Sequence, residues 1–161
     1  MLFVLLFSSS LEATGKKQSN FARHAKADEI VGFWKLVNLP LSAQKINKIN
    51  PWPMPYQWFG IYKDGTMNTM MGTKDSKQSS QQLHKTFQSL PSALSYKFHK
   101  GLLIVRNPEI KKYGELWLVE YIVEDAIVAK SIALKKGDLL MSLRNPQNRS
   151  ALYYRHLRKI N

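Results

Sequence analysis

Short apolar segments separated by turn residues follow one another along the chain from Ile30 to Leu157. Most of them alternate between two faces, which is the two-residue period of a β-strand. There are about nine, at the spacing expected of an all-β sandwich or barrel. Their order fits an antiparallel meander, which closes easily into a barrel. We therefore predict a mainly β fold, a single antiparallel up-and-down β-barrel of about eight to nine strands.

Glycine-containing turns mark several connections of this predicted sheet. Glycine supplies the positive φ that a tight hairpin turn needs. The turns are Lys63-Asp64-Gly65, Lys100-Gly101 and Lys136-Gly137-Asp138. The strands are predicted at residues 30–39, 57–62, 66–71, 94–99, 102–106, 115–123, 127–134, 139–143 and 150–157.

The 3.6-residue period of a helix is clear in one mid-chain segment, residues 79–90. Leu83, Phe87 and Leu90 form an apolar stripe there, Ser79 or Ser80 can cap the first turn, and a proline follows the last. A single stripe is too narrow to form a core, so we expect this helix to dock on the sheet.

A proline-rich loop precedes the second predicted strand. In Asn50-Pro51-Trp52-Pro53-Met54-Pro55-Tyr56, three prolines alternate with large residues and impose an extended backbone. Exposing Trp52 and Met54 to water is costly, so the loop is expected to pack on something apolar. It is either a lid over a cavity or a plug that closes one end of the core.

The first 27 residues do not follow the strand pattern. An apolar run over residues 1–7, followed by small and polar residues ending at Ala13, is typical of a secretory signal peptide. No Lys or Arg precedes the run, which fits a start upstream of Met1, and a buried first element of the mature domain is the competing interpretation. The predicted organisation is a signal peptide (1–13), a flexible basic leader (14–27) and a barrel domain (28–161), in a periplasmic or secreted protein without a transmembrane segment.

The charge balance is strongly basic. Lys plus Arg number 24 against 11 Asp plus Glu, for a formal net charge of +13, which favours anionic partners. The cations are scattered over turns and strand ends, whereas a sheet that binds nucleic acid interleaves them with exposed aromatic residues. The pattern therefore argues against nucleic acid as a partner. It does not predict an oligomeric state.

No residues with a recognisable catalytic arrangement stand out. Cysteine is absent, which excludes disulfides and cysteine-based metal sites. The four histidines do not pair with one another or with acids at metal-ligand spacing, and no nucleophile elbow, Walker loop or dinucleotide fingerprint is present. We therefore predict no catalytic residue, metal site or cofactor.

Two motifs at the ends of the predicted barrel resemble the lipocalin and calycin group. Ile30-Val31-Gly32-Phe33-Trp34-Lys35-Leu36-Val37 resembles its first-strand Gly-x-Trp motif, and Leu152-Tyr153-Tyr154-Arg155-His156-Leu157-Arg158 looks like its last strand. In that family an arginine packs over the tryptophan at the closed end of the barrel. The resemblance therefore implies a closure formed by Gly32, Trp34 and either Arg155 or Arg158. With a strand of the type Trp58-Phe59-Gly60-Ile61-Tyr62 after the first long loop, the chain looks most like the small bacterial lipocalin-like proteins.

Two functions are hypotheses for such a barrel. The first is binding of a small hydrophobic or amphipathic molecule in the interior. The second is a solid barrel whose basic rim binds an anionic partner, namely acidic lipid, envelope polysaccharide or acidic protein. An apolar cavity of about 300 Å³ or more favours the first function, and a filled interior would overturn it. The predicted pocket residues are Trp58, Tyr62, Met70, Trp117 and Tyr121, with Trp52 and Met54 as the lid.

Overall fold

A computed structural model describes residues 20–90, 93–108, 114–129 and 131–161, so the predicted signal peptide lies outside the described residues. The helices are α1 (Ala27–Ile30) and α2 (Ser80–Gln88), with a 3₁₀ helix at Leu41–Ile46. The strands are β1 (Ala22–His24), β2 (Gly32–Val37), β3 (Tyr56–Ile61), β4 (Thr66–Gly72), β5 (Leu94–His99), β6 (Leu102–Arg106), β7 (Glu115–Ile122), β8 (Ala126–Val128), β9 (Ile132–Leu134), β10 (Leu139–Arg144) and β11 (Ala151–Ile160). Within these ranges no helix is long and apolar enough to cross a bilayer.

Eight of these strands close into an antiparallel barrel. They follow the order β2-β3-β4-β5-β6-β7-β10-β11, and β11 pairs again with β2. The closing seam is on β7, which pairs with β10 along one edge and with β6 along the other. The short strand β1 continues that second edge beyond the end of β6. The predicted fold class, an antiparallel up-and-down barrel with one mid-chain helix, is confirmed.

Apolar side chains from every barrel strand meet in the interior. Alternate side chains of each strand point inward, so each strand contributes one row of side chains to the interior. The buried members of this cluster are Ala25, Ile30, Trp34, Phe59, Ile61, Met67, Leu103, Val105, Trp117, Val119, Leu139, Met141, Tyr153 and Leu157.

Helix α2 covers part of the outer face of the barrel. The side chain of Ser79 accepts a hydrogen bond from the Gln82 backbone N–H and caps the helix. Leu83 and Phe87 are buried against Trp58 on the outward face of β3. The helix predicted at 79–90 is therefore confirmed, and it docks on the sheet as expected.

The segment predicted as one strand at 127–134 is instead a hairpin outside the barrel. Strands β8 and β9 form a two-stranded sheet of their own. Ile132 and Leu134 are buried against Ile122 on the outward face of β7. The turn includes Ala129, which has a φ of +48°. Because the turn has an alanine where a glycine would be expected, the sequence does not indicate that the chain reverses direction here.

The flexible leader predicted at 14–27 is wrong where the structure describes it. Residues 22–24 form β1 and pair with residues 120–122 of β7. Arg23 forms an ion pair with Glu29 in α1, and Ala25 belongs to the interior cluster. The ordered unit therefore begins before residue 28. The sequence did not indicate this, because a three-residue strand and a one-turn helix are too short to show a hydrophobic period.

Trp34 lies at the end of the barrel covered by α1, which we call the closed end. Its ring is fully buried, and its Nε1 donates a hydrogen bond to the Ile30 carbonyl oxygen at 2.9 Å. The Lys159 ammonium lies 5.4 Å from the centroid of the Trp34 ring. Gly32 has a φ of +137°, and a Cβ there would meet Lys159 Cε at 3.0 Å. Glycine at this position therefore lets the lysine side chain reach the tryptophan.

The arginine partner implied for Trp34 is wrong, because the cation over Trp34 is Lys159. Trp34 and Lys159 are directly paired between β2 and β11, so they share the inward face. Arg158 follows the opposite alternation and binds Asp138. Arg155 does share the inward face, but it lies earlier on β11, at the other end of the barrel, which we call the open end.

Asp138 ties the turn before β10 to the outer face of β11. Its carboxylate is 2.6 Å from His156 Nε2, accepts hydrogen bonds from Arg158 at 2.8 and 3.0 Å, and accepts another from the Lys135 backbone N–H. Burial by itself raises the pKa of this carboxyl group. The hydrogen bonds from His156 and Arg158 outweigh burial, and the pKa falls to about 2.

We predict that Asp138→Asn destabilises the protein by about 2 kcal/mol at neutral pH, given the pKa of about 3.9 for an unfolded aspartate. The folded-state pKa lies below the unfolded one, so this stability is present above about pH 4 and is lost as the pH falls towards 2. Urea unfolding between pH 7 and pH 2 measures both effects. Asp75→Asn, in a half-exposed pair with Lys35, is the control. Wild-type acid sensitivity in Asp138→Asn would contradict the prediction.

Candidate functional site

The open end of the barrel holds a buried arginine. Arg155 is 5% exposed and points inward from β11. Its guanidinium carbon lies 4.0 Å from the centroid of the Trp52 ring, 4.7 Å from that of Trp117 and 4.9 Å from that of Phe59. The ring of Tyr153 is 5.8 Å away. These four rings, which we call the aromatic cage, attract the cation through their π faces.

The Arg155 charge has no carboxylate partner. Among the described residues, no acidic oxygen lies within 4 Å of the guanidinium, and its Nε has no hydrogen-bond acceptor. Burial lowers the pKa of Arg155 to about 10, although Tyr153 and Glu115 act in the opposite direction. The group is therefore still charged at neutral pH. The Tyr153 side chain hydrogen-bonds the guanidinium, but a buried charge without a carboxylate in contact is still costly, so structural need alone is a poor explanation for it.

A cavity of about 50 Å³ adjoins Arg155 inside the barrel. Its wall is mostly apolar and includes Phe59, Met67 and Leu94, while Thr69 and Glu115 add polar atoms. The Glu115 carboxylate accepts a hydrogen bond from Trp117 Nε1 at 2.9 Å. A cavity of this size holds a water molecule or two, whereas ligand sites begin near 300 Å³. With Trp52 in place, the interior is filled by that criterion, so the described barrel holds no preformed ligand cavity and interior binding requires Trp52 to move out.

Trp52 belongs to a loop and not to the barrel wall. Its ring lies 5.6 Å from the ring of Trp117 and 5.5 Å from that of Tyr153. The amide of Gln57, on the inward side of β3, donates hydrogen bonds to the carbonyl oxygens of Trp52 at 3.1 Å and Met54 at 3.0 Å. A groove of about 410 Å³ lies on the other side of the loop. Trp52 lines both the cavity and the groove, so this residue lies between them.

The barrel wall is weakest between β4 and β5. These strands pair only through Thr66 with Ser95 and Met67 with Leu94, while β3 and β4 pair along their whole length. The remainder of β4, residues 68–72, has no described strand on that side. Thr69 and Met71 from this unpaired stretch line the cavity. The interior therefore comes closest to solvent at this seam and at the Trp52 loop.

The structure brings only part of the predicted pocket together. Trp52 and Trp117 meet in the aromatic cage, as the prediction requires. Met54 lies in the outer groove and is 42% exposed. Tyr121 faces inward but at the closed end, where the Arg23 guanidinium lies 5.1 Å from its ring.

The predicted pocket positions of Trp58, Tyr62 and Met70 are wrong. Trp58 and Met70 belong to the outer cluster beneath α2, and Tyr62 packs edge to face on Phe33 in the same region. Both faces of β3 carry bulky residues, so alternation alone did not show which face points inward. Helix α2 buries the outward face of β3, which carries the residues predicted to line the pocket.

Sequence reasoning also missed residues that form the site. It treated Arg155 as a structural residue, and it did not select Phe59, Glu115 or Gln57. The alternation of β11 places residues 153, 155 and 157 on one face, with apolar residues on both sides of Arg155. An arginine in such a row is the signal that could have identified a buried charge.

We predict that Gln57→Met loosens the Trp52 loop. It removes two hydrogen bonds worth roughly 1 kcal/mol each, so amide exchange over residues 50–56 should accelerate at least about tenfold. Hydrogen–deuterium exchange with mass spectrometry measures this. Gln78→Met is the matched control, because its amide donates to Ser76 in another loop. Equal exchange rates over residues 50–56 in the two variants would refute the anchoring role of Gln57.

The described residues contain no group of three acids or histidines that could hold a metal ion. Comparison with protein-family models, curated proteins and solved structures finds no match to this chain. The closed eight-stranded antiparallel barrel is compatible with a lipocalin-like fold. The candidate functional site of the barrel is the buried arginine beneath the loop tryptophan.

Proposed function

We propose that the protein binds a small amphipathic molecule inside the barrel, with the Trp52 loop as its lid. The observation that carries this proposal is the position of Trp52 between the interior cavity and the outer groove. When the indole moves out, the two spaces join, and a largely apolar chamber with Arg155 and Glu115 as its ionisable groups opens to the surface.

The lid can move without unfolding the barrel. Most residues of the wall are held by backbone hydrogen bonds to two neighbouring strands. The loop at Trp52 and Met54 is held by the Gln57 amide, by ring contacts and by Arg155, and the Lys48 backbone N–H ties its start to β11. Two hydrogen bonds and a ring stack amount to a few kcal/mol, which is within the range of local opening in folded proteins.

The charge distribution favours an anionic or amphipathic ligand at the open end. Most of the described carboxylates lie at the closed end, in α1 and in the turns beside it: Asp28, Glu29, Asp64, Glu124, Asp125 and Asp138. The open-end connections carry Lys45, Lys48, Lys74, Lys77 and Arg149, and their one described acid, Asp75, is paired with Lys35. Clustered charge of one sign around a mouth raises the local concentration of the opposite charge.

A second candidate function rests on a depression of about 580 Å³ at the closed end. It is lined by Lys135, Lys136, Arg158 and Lys159, and it could bind an anionic partner at the surface. Two of these cations already have carboxylate partners, since Lys135 pairs with Asp125 and Arg158 with Asp138. The free charge available there is correspondingly small, which ranks this function second. Such binding should weaken sharply with salt, unlike binding in an apolar interior.

We predict that the full chain binds the neutral fluorophore N-phenyl-1-naphthylamine at one site and that Trp52→Ala binds it about tenfold more tightly. In the wild type the probe must first displace the Trp52 indole from its ring contacts, which costs about 1.4 kcal/mol or more, and this cost corresponds to about a factor of ten in affinity. The variant does not have this cost. Fluorescence titration at low and at high salt measures the affinity.

Met54→Ala is the control, because Met54 lies in the outer groove and does not line the cavity. It should leave the affinity within a factor of about two of the wild type, since it changes no interior contact. If neither the wild type nor Trp52→Ala binds the probe in a saturable way, the lid and the interior site are both ruled out.

A further inference from the structure

The outer groove beside the Trp52 loop is a ligand-sized space that exists while the loop is closed. Its volume is about 410 Å³, whereas the interior cavity measures about 50 Å³. Small-molecule sites are usually preformed and begin near about 300 Å³. The groove is bounded by the end of β2, the segment that follows β2, the Trp52 loop and the start of β11. It therefore holds a ligand without any movement of Trp52.

The described wall of the outer groove contains no Lys, Arg, Asp or Glu. The chain as a whole has 24 basic and 11 acidic residues. The histidine in the wall, His156, is 1% exposed, and its Nε2 already lies against the Asp138 carboxylate. Lys45 and Lys48 belong to the adjoining segment but do not line the groove. A charged ligand would lose its hydration there without gaining an oppositely charged partner, so the groove favours a neutral ligand.

Carboxamides supply most of the polar side chains of this wall. One carboxamide presents a hydrogen-bond donor and an acceptor in a single plane. A set of them therefore suits a ligand whose neutral groups both donate and accept hydrogen bonds. The carboxamides that line the groove are Asn38, Gln44, Asn47, Asn50 and Gln57.

Part of this hydrogen-bonding capacity is left over after the loop is held in place. Asn47 Oδ1 accepts a hydrogen bond from the Tyr154 backbone N–H at 2.8 Å, and the Gln57 nitrogen donates to the Trp52 loop. Gln57 Oε1, in contrast, is buried and has no partner among the described residues. Asn38 and Asn50 are exposed, and their side chains have no hydrogen-bond partner in the part of the chain that the structure describes. The wall therefore keeps both free donors and a buried free acceptor.

An extended peptide is a poor fit for the outer groove. Peptides bind by adding a strand to a free sheet edge or by placing apolar anchors in an apolar groove. Strand β11 pairs with β2 as far as Val37, and the chain itself covers the edge of β11 beyond that point. The Lys48 N–H donates to the Leu152 carbonyl oxygen at 3.1 Å, and Asn47 takes the Tyr154 N–H. No backbone groups of β11 are therefore left there for a peptide.

We infer that the outer groove binds a neutral saccharide. Sugar hydroxyl groups carry no charge, donate and accept at once, and in adjacent pairs match the donor and acceptor of a carboxamide. Trp52 and Tyr153 add aromatic surface on which the C–H face of a sugar ring packs. This site lies outside the barrel interior and needs no movement of Trp52, so the inference does not rest on the proposed function.

The test titrates the ¹⁵N-labelled full chain with four neutral disaccharides: maltose, cellobiose, lactose and N,N′-diacetylchitobiose. We expect at least one of them to bind with a Kd of about 1 mM or tighter. Its amide shifts should be confined to residues 36–57 and 153–156, which surround the groove. The Kd should change by less than about a factor of two between low and high salt, because no charged pair forms. Absence of saturable binding for all four disaccharides would overturn the inference.

Two variants place the saccharide in the groove. Asn38→Leu and Asn50→Leu each remove an unpaired carboxamide at nearly constant size, and each should weaken disaccharide binding about tenfold through lost hydrogen bonds. Both residues are exposed, so the variants should melt at the wild-type temperature. Gln81→Met is the matched control, because Gln81 is an exposed carboxamide on α2 outside the groove. Affinities of both groove variants equal to that of Gln81→Met would overturn the inference.

Other classes of neutral polar ligand are tested in the same titration with tetra-alanine and uridine. We expect neither to shift the groove amides at the concentration at which the disaccharide saturates the site. Tighter binding of the peptide or of the nucleoside than of every disaccharide would contradict the assignment of the ligand as a saccharide.

Hydrogen exchange gives an independent readout. A saccharide that contacts both the segment after β2 and the Trp52 loop should slow amide exchange over residues 38–56 about tenfold at ten times its Kd. The same concentration should slow exchange much less in Asn50→Leu. Unchanged exchange in the saturated wild type would show that the disaccharide binds elsewhere and would overturn the inference. Titration with N-phenyl-1-naphthylamine reports on the interior alone, so the two sites fail or stand separately.

Discussion

The closed barrel depends on one strand that hydrogen-bonds along both of its edges. Strand β7 pairs with β10 on one side and with β6 and then β1 on the other, so no long edge of the sheet is left unpaired at this seam. Closure forces the inward rows of eight strands to share one interior. Arg155 lies in one of those rows, and it is therefore buried among aromatic rings rather than exposed at an edge.

Both faces of the sheet then need cover, and the chain supplies it unevenly. Helix α2 covers the outer face of β3, and the β8–β9 hairpin covers that of β7 and β10. The closed end is filled by Trp34 and Ile30, and the exposed Lys159 side chain lies over the Trp34 ring. The open end is covered by a loop, and β4 and β5 are joined by only two residue pairs. The least constrained parts of the barrel therefore surround its buried charge.

The two ends also differ in how their cations are neutralised. At the closed end Arg158 and His156 share the Asp138 carboxylate, so the polar groups satisfy one another. At the open end Arg155 has π faces but no carboxylate, and Glu115 turns to Trp117. Satisfied clusters of the first kind hold a fold together. The Arg155 Nε, by contrast, lacks an acceptor among the described residues, which makes the open end the candidate site.

The sequence alone determined the fold class, most strand positions, helix α2 and the apolar packing of the extended Trp52 loop, because these depend on local periodicity, proline and glycine. The tertiary structure decided the rest. Alternation shows which residues share a face, but it does not show which face points inward when both are bulky, so Trp58, Tyr62 and Met70 were placed on the wrong side of the wall. Alternation also could not show which basic residue of β11 contacts Trp34. The register between β2 and β11, and not the residue type, places Lys159 on Trp34 and Arg155 beneath Trp52.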